Sequence, residues 1–372
     1  MNDRRKTYCT VNTLSSEQVY FDLSIANTST PTDPLKTPFA PIEYAEVRDQ
    51  PIISGNQANY KMAIVRLDLP STTIPIFVHY EDYFFVVLDD VSSGITSGNI
   101  QVPYIPTSNT GTNLPGYPDR LVYNIFNFLE GVNIALANAF NQMKFNFGTA
   151  LWEADVNRPQ VAPYITYENS LFSLNYDARG ADGQTFATDI YMNYRLYYKF
   201  LGLSVDYNNY NSVDYRDIRI KVYDRYNNTI QAVDPTTSAN VDVFRMVQQT
   251  SSLNLWYNAY KIIVESKTLN LRNEYITAYN LNESLNKDGG SANVVRPIVT
   301  DFDLQIGTDN NNYGRIVYFP QGDYRYIDII GQGPLNKIDL KISILFEDLT
   351  LLPAYIQPGE TWNIKLMFQK MA

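Results

Sequence analysis

The chain has 372 residues, of which 45% are apolar and only 18% charged, a composition that excludes a disordered chain and allows either one large elaborated domain or two ordinary ones. Its 29 Lys and Arg stand against 39 Asp and Glu, a formal net charge of −10, so nucleic acid is excluded as the main partner on electrostatic grounds. Histidine and cysteine occur once each, as His79 and Cys9. That count removes a protein zinc site and any intrachain disulfide, confines a Ser-His or Cys-His arrangement to His79, and leaves carboxylate chemistry or none.

No run approaches the ~18 apolar residues of a membrane span, and Met1-Asn2-Asp3-Arg4-Arg5-Lys6 leads into polar residues, so neither a span nor a secretory signal is expected. The expected setting is a reducing compartment, or release as part of an assembled particle. Thirty tyrosines with 18 Phe, 19 Pro and 18 Gly favour strands joined by turns.

Residues 1–50 read as an N-terminal arm. They hold one candidate strand, Gln18–Ile25, and a stretch from Thr28 to Pro41 with four prolines and no apolar period. The basic cluster Arg4, Arg5, Lys6 is read as a solvated end. From Tyr60 to Pro70 apolar and polar residues alternate, and Tyr83–Leu88 forms a second run bounded by Asp89-Asp90; both are predicted strands. A polar, Gly- and Pro-containing stretch, residues 92–118, reads as an excursion. Asp119 stands as an N-cap for a helix near Asp119–Lys144, whose stripe of Val122, Ile125, Phe126, Leu129, Val132, Leu136, Phe140 and Met143 packs on the molecule's own sheet.

Beyond it, strands are expected near Ser170–Tyr176, Phe186–Met192, Asp217–Tyr223 and Val241–Val247, with a short apolar segment at Tyr194–Leu203. The last third is the most regular, with β runs at Trp256–Ser266, Val294–Ile306, Arg315–Phe319, Tyr324–Ile330, Lys337–Phe346 and Asn363–Lys370, the spacing of a sandwich or barrel. No fixed-period repeat and no βαβ alternation is present. The domain organisation read from this pattern is an arm over 1–50 and a sandwich- or barrel-like β remainder over 51–372.

Candidate chemistry is sparse. The paired carboxylates Asp89-Asp90, Asp301 with Asp303, and Glu347-Asp348 are the only catalytic kit in quantity, and adjacent strand residues point to opposite faces, which favours turn roles over a two-carboxylate glycosidase site. Asp177, Asp182 and Gly183 make a loose acidic loop without the spacing of a calcium-binding loop. His79 reads as a packed or surface imidazole, with pH sensing as the functional alternative. There is no phosphate-cradling glycine motif. No catalytic, cofactor-binding or metal residue is assigned.

The C-terminal block Tyr318-Phe319-Pro320, Asp323-Tyr324-Arg325-Tyr326-Ile327-Asp328-Ile329-Ile330, Gly333-Pro334-Leu335, Ile338-Asp339-Leu340 and Pro358 to Phe368 resembles the closing strands of a viral jelly roll. Phe128-Leu129-Glu130 with Asn133–Leu136, and Trp256-Tyr257-Asn258 to Val264-Glu265-Ser266, are similar too. The resemblance is to minor capsid, or penton, proteins of virophages, polinton-like viruses and the adenovirus-tectivirus lineage. It implies a single jelly-roll domain over 51–372 with insertions, the best candidates being 92–118 and 205–237, and a structural, non-enzymatic subunit of the virion, without cofactor. Its implied partners are itself, as a homopentamer at the fivefold vertices, the major capsid protein, other minor capsid proteins and a nearby internal membrane, with no specific nucleic acid. The alternatives are a receptor-binding, tail-fibre-like β protein of a phage, and a β-sandwich carbohydrase.

Overall fold

The computed structural model describes residues 7–15, 18–28, 39–80, 83–105, 120–155, 158–177, 181–182, 185–186, 188–208, 215–220, 229–233, 240–271, 274–275, 295–296, 298–304, 314–320, 324–348 and 350–371. In chain order the principal elements begin with β1 (Thr7–Ser15), β2 (Gln18–Ala26), β3 (Glu43–Val47), β4 (Tyr60–Pro70) and β5 (Phe85–Asp90). Next come α1 (Ile125–Phe147), α2 (Thr149–Ala154), β6 (Tyr164–Glu168), β7 (Leu171–Asp177), β8 (Thr188–Met192) and α3 (Tyr194–Lys199). Then follow β9 (Val205–Tyr207), β10 (Ile218–Ile220), β11 (Thr229–Val233), β12 (Asn240–Val247), β13 (Ala259–Glu265) and β14 (Ile298–Asp303). The last are β15 (Arg315–Tyr318), β16 (Lys337–Phe346), β17 (Leu351–Pro353) and β18 (Thr361–Lys370). The chain packs as two compact units, one built from 1–77, 108–119 and 258–372, the other from 78–107 and 120–257.

The first unit is a sandwich of two antiparallel sheets, ordered β1-β2-β18-β4-β15 and β14-β13-β16-β17, with β3 also paired to β16. Alternation decides which side chains face inward: Phe21, Leu23 and Ile25 on β2, and Trp362, Ile364 and Leu366 on β18, are buried while the residues between them are half-exposed. Each such side chain contributes ~1.5–3 kcal/mol on burial. Rings cross between the sheets at Phe21–Tyr44, 6.2 Å apart, and at Phe302–Tyr318, 4.0 Å apart. The strand β18 sits between β2 and β4, so the first and last parts of the sequence form the middle of one sheet. At the edge of this unit the Asn258 amide donates to the Ile76 carbonyl at 2.8 Å.

The candidate strand Gln18–Ile25 is therefore observed, but as a core element. Its inward side chains make that part of the expected arm integral to the sheet, because an alternating apolar face needs a sheet to bury it. Residues 29–38 of the proline-containing stretch lie outside the described residues.

In the second unit the sheets β9-β10-β8-β5 and β6-β7-β12-β11 accompany α1, which packs on β5 and β6. The expected helix exists, but it begins at Ile125. Asn124 is its cap, its side chain accepting from the Phe126 amide at 2.8 Å, while Leu121–Val122 is extended and Arg120 has φ 52°. Asp119 lies outside the described residues. The stripe is otherwise as expected, with Leu129, Val132, Leu136, Phe140 and Met143 buried, whereas Phe126 points outward at 59% exposure. Gly131 lets the helix approach Pro103, since an added Cβ would stand 2.5 Å from the Pro103 carbonyl oxygen.

The short apolar segment Tyr194–Leu203 opens with the helix α3 because Asn193 caps it, accepting from the Leu196 amide at 3.3 Å. One further expectation is corrected. Tyr324–Ile330 is a strand only at Ile327–Asp328, beside Met62 and Lys61, and Tyr324 and Tyr326 are exposed.

Candidate functional site

The candidate carboxylates are held by cations and turns, and they lie on different elements. On β5, Asp89 takes a two-pronged contact from Arg216, with Nε at 2.8 Å and Nη2 at 2.9 Å. Its neighbour Asp90 is fully buried on the opposite face, where it accepts from the hydroxyls of Ser92 at 2.7 Å and Ser93 at 2.5 Å and from Arg158 Nη1 at 2.5 Å. Burial pushes the Asp90 carboxyl up, but the bonds from Ser93, Arg158 and Ser92 and the Arg158 charge outweigh it and hold the acid below its ordinary value. Asp90 thus closes the turn after β5, as strand-end chemistry requires.

On β14, Asp301 bonds Lys261 at 2.7 Å and Arg325 at 3.0 Å, and Asp303 lies 3.3 Å from the same lysine. Burial raises the Asp301 carboxyl and these two cations bring it below its ordinary value. Asp348 accepts from the Thr350 amide at 3.0 Å in the turn after β16. Such an arrangement neutralises carboxylates and leaves none poised as a shared-proton acid and base.

The acidic loop resolves into backbone capping: Asp177 is buried and its Oδ2 accepts from the Gln160 and Val161 amides at 2.7 and 2.9 Å. Asp182 ends a two-residue strand, Ala181–Asp182, and Gly183 lies outside the described residues. Among the described residues no group of three or more His, Cys, Asp or Glu is arranged to hold a metal ion, and no helix is long and apolar enough to cross a membrane. Cys9 lies in β1, opposite Leu23.

His79 is a core residue at 3% exposure, ringed by Phe84 at 5.3 Å and by Tyr104 and Phe128 at 5.8 Å, and among the described residues neither of its ring nitrogens has a hydrogen-bond partner. Burial, and then the nearby Arg120 charge, lower its pKa from 6.5 to about 4 against a partial offset from the backbone at His79 and Val102. A neutral imidazole here is a packing group.

The sequence reading missed Arg158. Besides Asp90, its guanidinium lies 4.0 Å from the Phe147 ring centroid and 4.6 Å from that of Trp152. The available signal was one arginine in a polar stretch just after a helix. Also missed were Arg219, which pairs with Asp189 across the neighbouring strands β10 and β8, and Arg216, just before β10, which pairs with Asp89 on β5. Aromatic residues stay exposed on both units: Tyr194 and Tyr207 on one, Phe319 and Tyr324 on the other.

No curated protein sequence matches the chain. Several solved structures share its fold. A chain of the Sputnik virophage particle, determined by electron cryo-microscopy, superposes with a TM-score of 0.65 at 23% identity, covering 96% of this chain and 98% of its own. The penton protein of mavirus, a crystal structure, gives 0.60 at 14% identity, covering 96% and 100%. The chain therefore has the jelly-roll β-sandwich fold of virophage capsid proteins. The family described as Sputnik minor capsid protein V18/19 matches residues 19–370, and the chain belongs to that family of virion proteins.

Proposed function

We propose that the protein is the vertex subunit of an icosahedral virion, five copies closing into a ring that meets trimers of the major capsid protein, and that it catalyses no reaction. The observation that carries this reading is the likeness to the mavirus penton protein over that protein's whole length, joined to membership of a minor capsid family. Supporting it are carboxylates that are paired or capping rather than free for catalysis, and exposed tyrosines, a residue type suited to subunit contacts. A heterologous contact repeated about an axis closes into a ring. In this reading residues 51–372, together with β1, β2 and β3, form the jelly-roll domain. Its insertion is the unit of 78–107 and 120–257, larger than the separate segments 92–118 and 205–237.

The test is the mass of the purified full chain by sedimentation and native mass spectrometry, followed by co-expression with its major capsid protein and imaging of particles. Five copies in solution or at the vertices support the reading. A trimer, or a chain that stays monomeric and absent from particles, overturns it.

A further inference from the structure

The sheets of this protein treat their edges unequally. β15 carries Arg315, β14 carries Asp301 and Asp303, β3 carries Glu43 and Glu46, β6 ends on Glu168, β9 has three residues including Asp206, and β17 ends on Pro353. Charge, proline and brevity are the devices that keep sheet edges from pairing with other chains. β1 has none of them. Its nine residues, TYCTVNTLS, hold no charge, no proline and no glycine. β11, TIQAV, also lacks charge but is only five residues long.

Among the described residues β1 pairs with β2 alone, in regular antiparallel register from Thr7 to Asn12. In such a pair, alternate residues direct their N–H and C=O groups away from the partner. The outer side of β1 is therefore a row of main-chain donors and acceptors, which only another extended backbone satisfies completely.

We propose that the outer edge of β1 is an assembly edge, to which an extended segment of a second copy of this chain adds as a further strand. This rests on the ring reading given above and names the contact that holds the ring. A second copy is the occupant because the chain belongs to a capsid family, whose subunits meet copies of their own kind at high local concentration. The two edges of the β1 sheet are unlike, one with no further strand among the described residues and one guarded by Arg315, so the contact joins dissimilar surfaces and can close a ring.

The test uses single proline substitutions in the full chain, Cys9→Pro, Thr10→Pro and Val11→Pro, read by sedimentation and by thermal unfolding of the dilute chain. Cys9 and Val11 share one direction along the strand and Thr10 takes the other, so one set loses bonds to β2 and the other loses only outward N–H groups. The set whose unfolding midpoint stays within about 2 °C of the unsubstituted chain is the outward one. That set is expected to need at least about tenfold more protein to form the ring.

Unchanged ring formation by the outward set overturns the proposal while leaving the ring reading intact. So does a species of two copies joined β1 to β1, which cross-linking of Cys9 to Cys9 detects. An unsubstituted chain that never forms a ring, in solution or in particles, overturns the ring reading itself.

Discussion

Arg158 and Asp90 meet across 68 residues of sequence, Nη1 to Oδ2 at 2.5 Å, with the carboxylate fully buried and the guanidinium laid over the rings of Phe147 and Trp152. The pair ties the turn after β5 to the segment that follows α2. Removing one member of a buried pair strands the other charge away from water, which is worse than never having had the pair.

Arg158→Met is accordingly expected to destabilise the protein by about 3–5 kcal/mol. Asp90→Asn combined with Arg158→Met should cost less than Arg158→Met alone, because no uncompensated charge remains. Chemical denaturation of the two variants checks this, and equal losses would show that the charge is not the determining quantity.

His79 predicts an acid-labile core. Its folded pKa of about 4 lies below the unfolded 6.5, so above pH 6.5 both states are neutral and the group has no effect. As pH falls from 6.5 to 4 the unfolded chain binds a proton that the folded chain does not, and stability drops with a limit of about 3 kcal/mol. His79→Phe should flatten that part of the stability profile; a wild-type profile already flat between pH 6.5 and 4 would contradict the assignment.

At Gly131, alanine raises helix propensity by about 1 kcal/mol, yet its Cβ would stand 2.5 Å from the Pro103 carbonyl oxygen. Backbone cannot step aside as a flexible side chain can, so Gly131→Ala is expected to lower stability by about 1–3 kcal/mol. A gain measured by thermal unfolding would mean the helix shifts freely.

Truncation separates arm from fold. Deleting residues 1–6 should leave the unfolding midpoint unchanged, whereas deleting everything before Phe39 removes Phe21, Leu23 and Ile25 from the sandwich and bares β18. The longer deletion is expected to yield aggregated or unfolded chain, measured by solubility and near-ultraviolet circular dichroism.

Strands whose alternation runs between clear turn residues could be read directly, as Tyr60–Pro70 and Lys337–Phe346 were, to the residue. The start of α1 could not. Asp119 and Asn124 are equally good caps, Val122 has the helical spacing to Ile125, and only Arg120's left-handed backbone and the extended Leu121–Val122 decide between them. α3 is rich in tyrosine, a strand former, and its helix follows from Asn193. That side chain bonds the Leu196 amide, the Phe85 amide at 3.1 Å and the Tyr83 carbonyl at 2.8 Å. Arg158 was unreadable for a different reason, since a partner 68 residues away leaves no periodic trace in sequence.

The bond between Asn258 and Ile76 sets an order for folding. The sandwich cannot close its central strand pairs until β18 has been synthesised, long after β2 and β4 have left the ribosome, and non-local pairings of this kind form slowly. The intervening unit of 78–107 and 120–257 has all its sheets and α1 complete before Asn258 emerges. Once folded, it shortens the effective loop between Ile76 and Asn258, and with it the entropy of bringing them together. Residues 76 and 258 then stay within reach of each other while the last third of the chain is made.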